Sequence, residues 1–485
     1  MRIQVNRRRK NQLAFHDWAI GFSGARINPE NRWVKLASIV PWDLVDQLYA
    51  ENFIDSLTGH PAIESRIAFG ALIIKQEFRL SDEDTVQMIC ENPHVQYFLG
   101  LSEFTWLPLF DSSKMVFFRK RFPPEAMAKI NEAIIAAEKG NPPSAPTTGS
   151  ENDSAPDGTE NTGTLILDAT CAPANVHFPT DTGLLNDARE ASEQLVDALY
   201  EPVSGQVKPR TYRQLARQSY LRLVRNKRPG YRLIRKTIRQ QLQYLRRNLY
   251  HIGQLSKHHP LNARQIEKLE VIEQIYKQQR QMYDGKLHKI EHRIVSVHQP
   301  WVRPIVRGKL TAKVEFGAKL VLSMEDGYSR IEMISWDAFN ESKTLIDSCE
   351  RYFERNGCYP ERILADKIYR NRTNLHYCDL KGIKMNGPKL GRPPRDKAIF
   401  NEQKRLEKME AGERNAIEGK FGEAKQRYGL DRVMTRLSET SESVIHLIVV
   451  VMNLKKRLRD LIVKFLEALY SGQFRFRFEY LAVTQ

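Results

Sequence analysis

Residues 413–425 read ERNAIEGKFGEAK, and the rest of the chain can be interpreted around them. At 3.6 residues per turn, a single face of this predicted helix carries Arg414, Glu418, Phe421 and Lys425. A carboxylate between two cations can coordinate a divalent metal ion while the cations hold phosphates. The same spacing also suits a solvated, salt-bridged surface helix. The stretch alone leaves both interpretations open, so the decision depends on the residues upstream.

The size and composition of the chain limit the classes of protein it can belong to. Its 485 residues are too many for one ordinary core, so we expect two or three domains. No run of about 18 apolar residues occurs, and the basic N-terminus lacks the apolar centre of a signal peptide, so neither a membrane span nor export is expected. The five cysteines form no CxxC pair, which argues against a zinc site or a disulfide framework and favours a reducing cytoplasm.

The positive charge of the chain is concentrated in one segment. The formal net charge of +17 favours nucleic acid as a partner. From Pro202 to Ile266 the chain has no acidic residue and sixteen lysines and arginines. A solvated helix face usually mixes charges of both signs, so we interpret this segment as a surface for the DNA backbone. The candidate contacts in it are Arg225, Arg228, Arg232 and Arg235.

Three further parts are separated by composition. Residues 1 to about 26 are basic and irregular, and helical periodicity runs from Trp33 to about Lys139. Residues 1–139 therefore predict an all-α N-terminal domain that binds DNA ends, with Arg119 and Arg121 of a basic aromatic cluster as candidate contacts. Residues 140–163 are rich in Pro, Ser, Thr and Gly and predict a flexible linker. Residues 431–485 predict a C-terminal helical segment.

Between the linker and the C-terminal segment, residues 164–430 have the pattern of an α/β domain. Two short apolar runs, 164–170 and 362–366, predict buried strands that end near Asp168 and Asp366. The other predicted elements are a neighbouring strand at 174–178, a basic helical insertion at about 186–300, a hairpin at 312–336, a helix at 342–355 and a last strand at 382–385.

These elements allow three carboxylates to converge. Parallel strands of one sheet end at a common edge, so Asp168 and Asp366 can meet there although they are far apart in the chain. A helix packed on that sheet can bring Glu418 to the same edge. Three carboxylates in this arrangement suit Mg²⁺, and a pair of such ions can support displacement at a phosphodiester. Glu423 stays open as an alternative ligand, although it lies off the face that Arg414 shares with Glu418.

A basic loop precedes the helix with Glu418. It contains Arg392 and Arg395 in a Pro/Gly-rich context, KLGRPPR at 389–395. Arginines in such a loop can enter a minor groove. A plain surface loop is an equally good interpretation of the same residues.

The order of these elements resembles the bacterial insertion-sequence DDE transposases, whose catalytic core has an RNase H-like fold. The similar group has a helical N-terminal domain and an Arg-x3-Glu-x6-Lys signature, which Arg414, Glu418 and Lys425 fit. Other matching segments are LDAT at 167–170, LAD at 364–366, ENP at 91–93, YFLGL at 97–101, DSS at 111–113 and FRKR at 118–121. Two features depart from the group: Ala411 stands where its signature has tyrosine, and the large insertion is helical and comes early.

The resemblance implies an enzyme that binds the terminal inverted repeats of its insertion sequence, cleaves DNA there with Mg²⁺, for which Mn²⁺ can substitute, and transfers the 3′-OH to target DNA. It implies Asp168, Asp366 and Glu418 as catalytic metal ligands and Arg414 and Lys425 as phosphate contacts. The partner is double-stranded DNA in the bacterial cytosol, and because two ends must be held together, we expect a homodimer on DNA. The alternatives are a catalytically inactive or domesticated DNA-binding relative, and an RNase H-like nuclease without strand transfer.

Overall fold

The computed structural model describes residues 27–53, 61–139, 160–200, 207–306, 314–387 and 396–470. Its first part is helical, as the sequence predicts, and consists of α1 (Arg32–Ile39), α2 (Trp42–Ala50), α3 (Ser65–Phe78), α4 (Asp82–Glu91), α5 (Pro93–Phe98), α6 (Lys114–Arg121) and α7 (Pro124–Lys139). Polar caps set some of these starts: the Ser81 hydroxyl accepts the N–H of Asp84 at the head of α4. Most of the predicted linker, residues 140–159, lies outside the described residues.

One mixed sheet follows. Its strands are β1 (Thr164–Pro173), β2 (Arg303–Val306), β3 (Val314–Glu325), β4 (Tyr328–Ser335), β5 (Arg362–Ala365) and β6 (Lys384–Met385). The order across the sheet is β2, β3, β1, β5, β6, and β4 also pairs with β3. Strand β3 is antiparallel to β1, whereas β1, β5 and β6 are parallel. The predicted hairpin is confirmed in β3 and β4, where Asp326 and Gly327 both have positive φ, as the tight hairpin turn requires.

The remaining helices form two sets. Those between β1 and β2 are α8 (Asp181–Leu199), α9 (Arg213–Val224), α10 (Tyr231–Leu255) and α11 (Ala263–Gly285). Those after the hairpin are α12 (Leu345–Asn356), α13 (Arg372–Leu380), α14 (Lys397–Tyr428) and α15 (Ser438–Tyr470). The first set lies where the sequence predicts the basic insertion, and α8 begins at Asp181, a few residues before the predicted start.

The predicted strand at 174–178 is wrong. Strand β1 runs without interruption to Pro173, and Ala174 makes only a single bridge, to Val433. The chain then turns, since the N–H of Val176 donates to the carbonyl of Ala174 at 2.8 Å. Because no strand intervenes, the helical insertion follows β1 directly.

Hydrophobic packing does not follow the predicted domain boundaries, which remain predictions. One core contains residues of α1–α7, one face of the sheet, α14 and α15, because α15 lies between the N-terminal helices and β4. A second core, on the other face of the sheet, involves α12 and α13. The insertion has a third core of its own, among α8, α10 and α11. Within the described ranges, no helix is both long and apolar enough to cross a membrane.

Candidate active site

The ends of β1 and β5 bring two aspartates to one edge. The strands are parallel neighbours in which Leu167 pairs with Ala365, so Asp168 and Asp366 each follow one member of a matched pair. Neighbouring strands lie about 4.8 Å apart, and side chains alternate between the faces of a sheet. Leu167 and Ala365 point into the core formed with α12. The two aspartates therefore belong to the opposite face, which α14 covers.

Helix α14 presents Glu418 to this edge because apolar residues fix its rotation. Ile417 is fully buried and Phe421 is 9% exposed. Both belong to the core that includes Ile166 and Leu364, the residues that precede the aspartates on the same face of the sheet. Rotating the helix would expose these side chains to water, which costs free energy in proportion to the apolar area uncovered. Glu418 itself stays half exposed.

Arg414 connects the strand edge to the helix. Its Nη1 atom lies 3.2 Å from Asp168 Oδ2, and its Nη2 atom lies 2.8 Å from Glu418 Oε1. A single guanidinium thus bonds to two carboxylates that approach from different elements. Asp366 instead accepts the N–H of Lys367 at 2.7 Å and caps a short 3-10 helix.

The electrostatics around Asp168 favour a nearby cation. Burial raises the pKa of Asp168 above its usual value, and the charges of Asp366 and Glu341 raise it further. The N–H of Ala169, which donates to Asp168 Oδ1 at 2.8 Å, and the guanidinium of Arg414 lower it. Negative charge is therefore crowded at this edge, and any cation that reaches it relieves the repulsion.

Glu341 is the residue here that the sequence did not reveal. It begins a 3-10 helix (Glu341–Thr344) ahead of α12, and its carboxylate is close enough to raise the pKa of both Asp168 and Tyr369. Lys319 on β3 pairs with it at 2.9 Å. No motif or spacing points to Glu341, because contacts between segments far apart in the chain bring it near Asp168: its 3-10 helix contacts the one that follows Asp366.

The three predicted ligands fit a divalent metal ion in their chemistry, since carboxylate oxygens are what Mg²⁺ binds. Across the part of the chain that the structure describes, no group of three or more His, Cys, Asp or Glu side chains is close enough together to hold a metal ion. Arg414 lies where Asp168 and Glu418 would otherwise face each other. The alternative ligand, Glu423, faces away from this edge and pairs with Lys420 at 3.1 Å.

Two family models match the chain. A model described as "Transposase DDE domain" matches residues 363–455, which include Asp366 and Glu418. A model described as "Transposase domain (DUF772)" matches residues 23–121, which include α1 to α6. An uncharacterized protein of Rhizobium meliloti, ORF8 in the nfe locus, is 31% identical over 160 residues, which are 33% of this chain and 70% of that protein. The chain belongs to the insertion-sequence DDE transposases. No solved structure matches it.

One predicted DNA contact of the transposase needs correction. Arg119 is 6% exposed, and its two terminal nitrogens donate to the two carboxylate oxygens of Asp82 at 2.9 and 2.8 Å. Its charge is therefore used inside the helical domain, where a DNA phosphate cannot reach it. Arg121 is half-buried, donates to the carbonyl of Asn52 at 2.9 Å and lies over the ring of Phe53.

The other predicted contacts have different surroundings. Arg225, Arg228 and Arg232 are exposed on the insertion. Arg235 is half-buried, with its guanidinium 4.3 Å from the centre of the Tyr283 ring. Lys425 is half-buried on α14. The loop residues Arg392 and Arg395 lie outside the described residues.

Proposed function

We propose that this transposase binds the terminal inverted repeats of its insertion sequence, cleaves DNA there in a metal-dependent reaction, and joins the freed 3′-OH to target DNA. The observation that carries the proposal is the position of Asp168 and Asp366 at matched points on adjacent parallel strands, with Glu418 facing them from α14. Carboxylates gathered at one sheet edge are the ligand set that a phosphoryl-transfer metal site needs.

We also propose that the catalytic part has an RNase H-like core. The support comes from the order and direction of the strands as well as from the sequence. Five strands lie in the order β4, β3, β1, β5, β6, with an antiparallel half and a parallel half. Such a mixed sheet with helices on both faces supports that fold. The basic insertion is an addition between its first two strands.

In this proposal, Asp168, Asp366 and Glu418 hold two Mg²⁺ ions, for which Mn²⁺ can substitute. Bound ions would supply charge neutralisation and activation of the attacking oxygen. The chain's own contribution is to fix the carboxylates on rigid elements and to keep cations near the phosphate. Arg414 and Lys425 on α14 are the proposed phosphate contacts at the transposon end, and the exposed arginines of the insertion bind the DNA backbone further away.

We further propose that two copies of the chain act together on DNA, since a transposition reaction must hold two ends of the element at once. The cationic insertion supplies charge for such an assembly, with exposed arginines at 225, 228 and 232. The helical N-terminal part, which contains α1 to α7, is the proposed reader of the DNA ends.

The test is Mg²⁺-dependent cleavage of a labelled duplex that carries the element's end, with binding to the same duplex measured in parallel. We expect the wild type to nick at the end, and Glu418→Gln to bind the duplex without cutting it. Glu402→Gln, an exposed position on the same helix, is the matched control and should cut like the wild type. If wild type and Glu418→Gln both bind and neither cuts with Mg²⁺ or Mn²⁺, the chain is a DNA-binding relative without transposase chemistry.

A further inference from the structure

The pairing of Arg414 has a consequence for metal binding. Its guanidinium donates to Glu418 Oε1 and lies within ion-pair distance of Asp168 Oδ2, so it takes up oxygen atoms that a metal ion would need. The arginine side chain is 20% exposed and Asp168 is 16% exposed. In this arrangement Arg414 is the stabilising cation between the two carboxylates. A divalent ion that binds the same oxygens must replace it.

A cleft beside Arg414 offers the guanidinium a second position. The cleft has a volume of about 380 Å³ and lies between α14 and the chain segment that follows β5. Its lining includes Arg414, Asp366 and the cations Lys367, Lys404 and Lys408. These three lysines have no carboxylate partner among the described residues. Arg370 and Glu407 line the cleft as well, so five cations and two carboxylates surround it. The wall therefore has a net positive charge and is able to bind an anion.

The spacing along α14 directs Arg414 into this cleft. Lys404 and Lys408 are one helical turn apart, and Ala411 and Arg414 continue the same face. Ala411 also lines the cleft, and its methyl group leaves the space next to Arg414 open. An arginine needs only rotations about its own side-chain bonds to move from Glu418 toward this space.

A DNA phosphate is an anion that both Arg414 and the lysines of the cleft can bind. Arginine binds phosphate with two parallel hydrogen bonds, and lysines bind it as point charges. We propose that Arg414 has two positions: without DNA it holds Asp168 and Glu418 together, and with a DNA phosphate in the cleft it binds that phosphate and leaves the carboxylates to the metal ion. This inference rests on the proposed function, because it takes those carboxylates as metal ligands.

The two-position arginine makes metal binding and DNA binding depend on each other. DNA raises the affinity for the metal ion, and by linkage the metal ion raises the affinity for DNA by the same factor. Couplings of this kind are typically about 5-fold to 150-fold. The transposase would then assemble its metal site chiefly on DNA, and the DNA-free protein would bind the metal ion weakly.

The test measures Mn²⁺ affinity by electron paramagnetic resonance, with and without a duplex that carries the element's end already cleaved and without a 3′-OH, so that neither cutting nor joining interferes. We expect the duplex to raise Mn²⁺ affinity in the wild type by at least about 5-fold more than in Arg414→Gln. Without DNA, Arg414→Gln should bind Mn²⁺ more tightly than the wild type. Arg427→Gln removes one exposed cation from the same helix outside the cleft and controls for a general charge effect.

A second pair of variants tests the cleft. Lys408→Gln should bind Mn²⁺ like the wild type in the free protein but lose most of the enhancement by DNA, whereas Lys397→Gln, exposed near the start of α14, should keep it. Equal enhancement in wild type and Arg414→Gln overturns the two-position arginine while Mn²⁺ binding upholds the metal site. Mn²⁺ binding that Asp168→Asn leaves unchanged in every variant overturns the proposed function itself.

Discussion

Burial decides which of the many arginines of this transposase can meet DNA, and Arg119 illustrates how. Burial by itself would raise the pKa of Asp82, but hydrogen bonds and charge from Arg119 and Lys75 hold that pKa below its usual value. The lowered pKa reflects an ion pair that is formed inside the helical domain, at 2.8 Å and largely away from water. Arg119 therefore belongs to the stability of α4 and α6 and not to DNA recognition.

Replacing Arg119 with alanine should lower the free energy of unfolding by about 2 to 4 kcal/mol, because Asp82 keeps only the neighbouring Lys75 as a partner. Lys120→Ala, at an exposed position next to it, should change stability by less than about 0.5 kcal/mol. Urea unfolding followed by circular dichroism measures both. Equal stability of the two variants would show that the Arg119–Asp82 pair is not formed in solution.

The Arg119–Asp82 pair also shows which residue positions can be predicted from the sequence and which cannot. The apolar runs before Asp168 and Asp366 and the spacing around Glu418 are local signals that suggest one sheet edge, although the pairing of β1 with β5 that joins the two aspartates is long-range. The sequence FRKR at 118–121 cannot separate a buried arginine from its exposed neighbour lysine, since that depends on which way α6 faces the rest of the domain. Glu341 is likewise not indicated by the sequence, because its position depends on contacts between segments that are far apart in the chain.

At the level of elements, α10 has a continuous cationic face. Its exposed positions include Arg232, Lys236, Arg239 and Arg246. Their spacings of three, four and seven residues put them along one side of the helix, over roughly 21 Å at 1.5 Å per residue. None of the four has a carboxylate partner among the described residues. Such a face matches the phosphates along a DNA backbone more closely than the mixed charges of an ordinary solvated helix.

Changing Arg232, Lys236 and Arg239 together to glutamine should weaken binding to any duplex and reduce the salt dependence of the affinity. Each lost phosphate contact lowers the slope of log affinity against log salt by about 0.9, so the slope should fall by about 2 to 3. Fluorescence anisotropy at several salt concentrations measures it. The control removes the same charge from another side of the insertion, at Lys277, Lys286 and Lys289, which are exposed. If both triple variants lose the same slope, α10 is not the DNA-binding face.

The prediction of secondary-structure elements is confirmed for the β3–β4 hairpin, where the residues of the turn decide the structure, and is wrong at 174–178, where the structure depends on a pairing partner. The hairpin of β3 and β4 follows from a turn that two residues with positive φ can make. The predicted strand at 174–178 has strand-like residues, but among the described residues its only pairing is the single bridge of Ala174 with Val433. A strand needs a partner for its backbone groups, and the sequence of one segment does not reveal whether the partner is present.

At the scale of the whole molecule, the described part of the transposase contains two bodies with separate cores. The first body is the sheet with α1–α7 and α12–α15, and the second is the insertion, α8–α11. Asn453 on α15 is fully buried and connects the first body: its side chain donates to Asn131 of α7 and to the carbonyl of Ser329 on β4, and it accepts the N–H of Ser329. The insertion is held instead by Arg189, 1% exposed, which pairs with Glu193 and donates to Gln241 of α10.

The two bodies are connected through residues 294–302, where Ile294 and Val297 belong to the core of the insertion and Val295 and Val302 pack next to the sheet. We expect this short connection to let the two bodies unfold in separate thermal transitions. Asn453→Ala leaves the buried N–H of Ser329 without its partner, while Asn131 still donates to the Ser329 carbonyl. The variant should lower the transition of the sheet and N-terminal helices by about 2 kcal/mol, with the transition of the insertion unchanged. Arg189→Met leaves Glu193 buried without its partner and should lower only the transition of the insertion.

Calorimetry measures both transitions, and hydrogen exchange with mass spectrometry assigns each to its part of the chain. A single transition that both variants shift equally would mean that the insertion and the sheet unfold as one cooperative body, and that the insertion is part of the catalytic core.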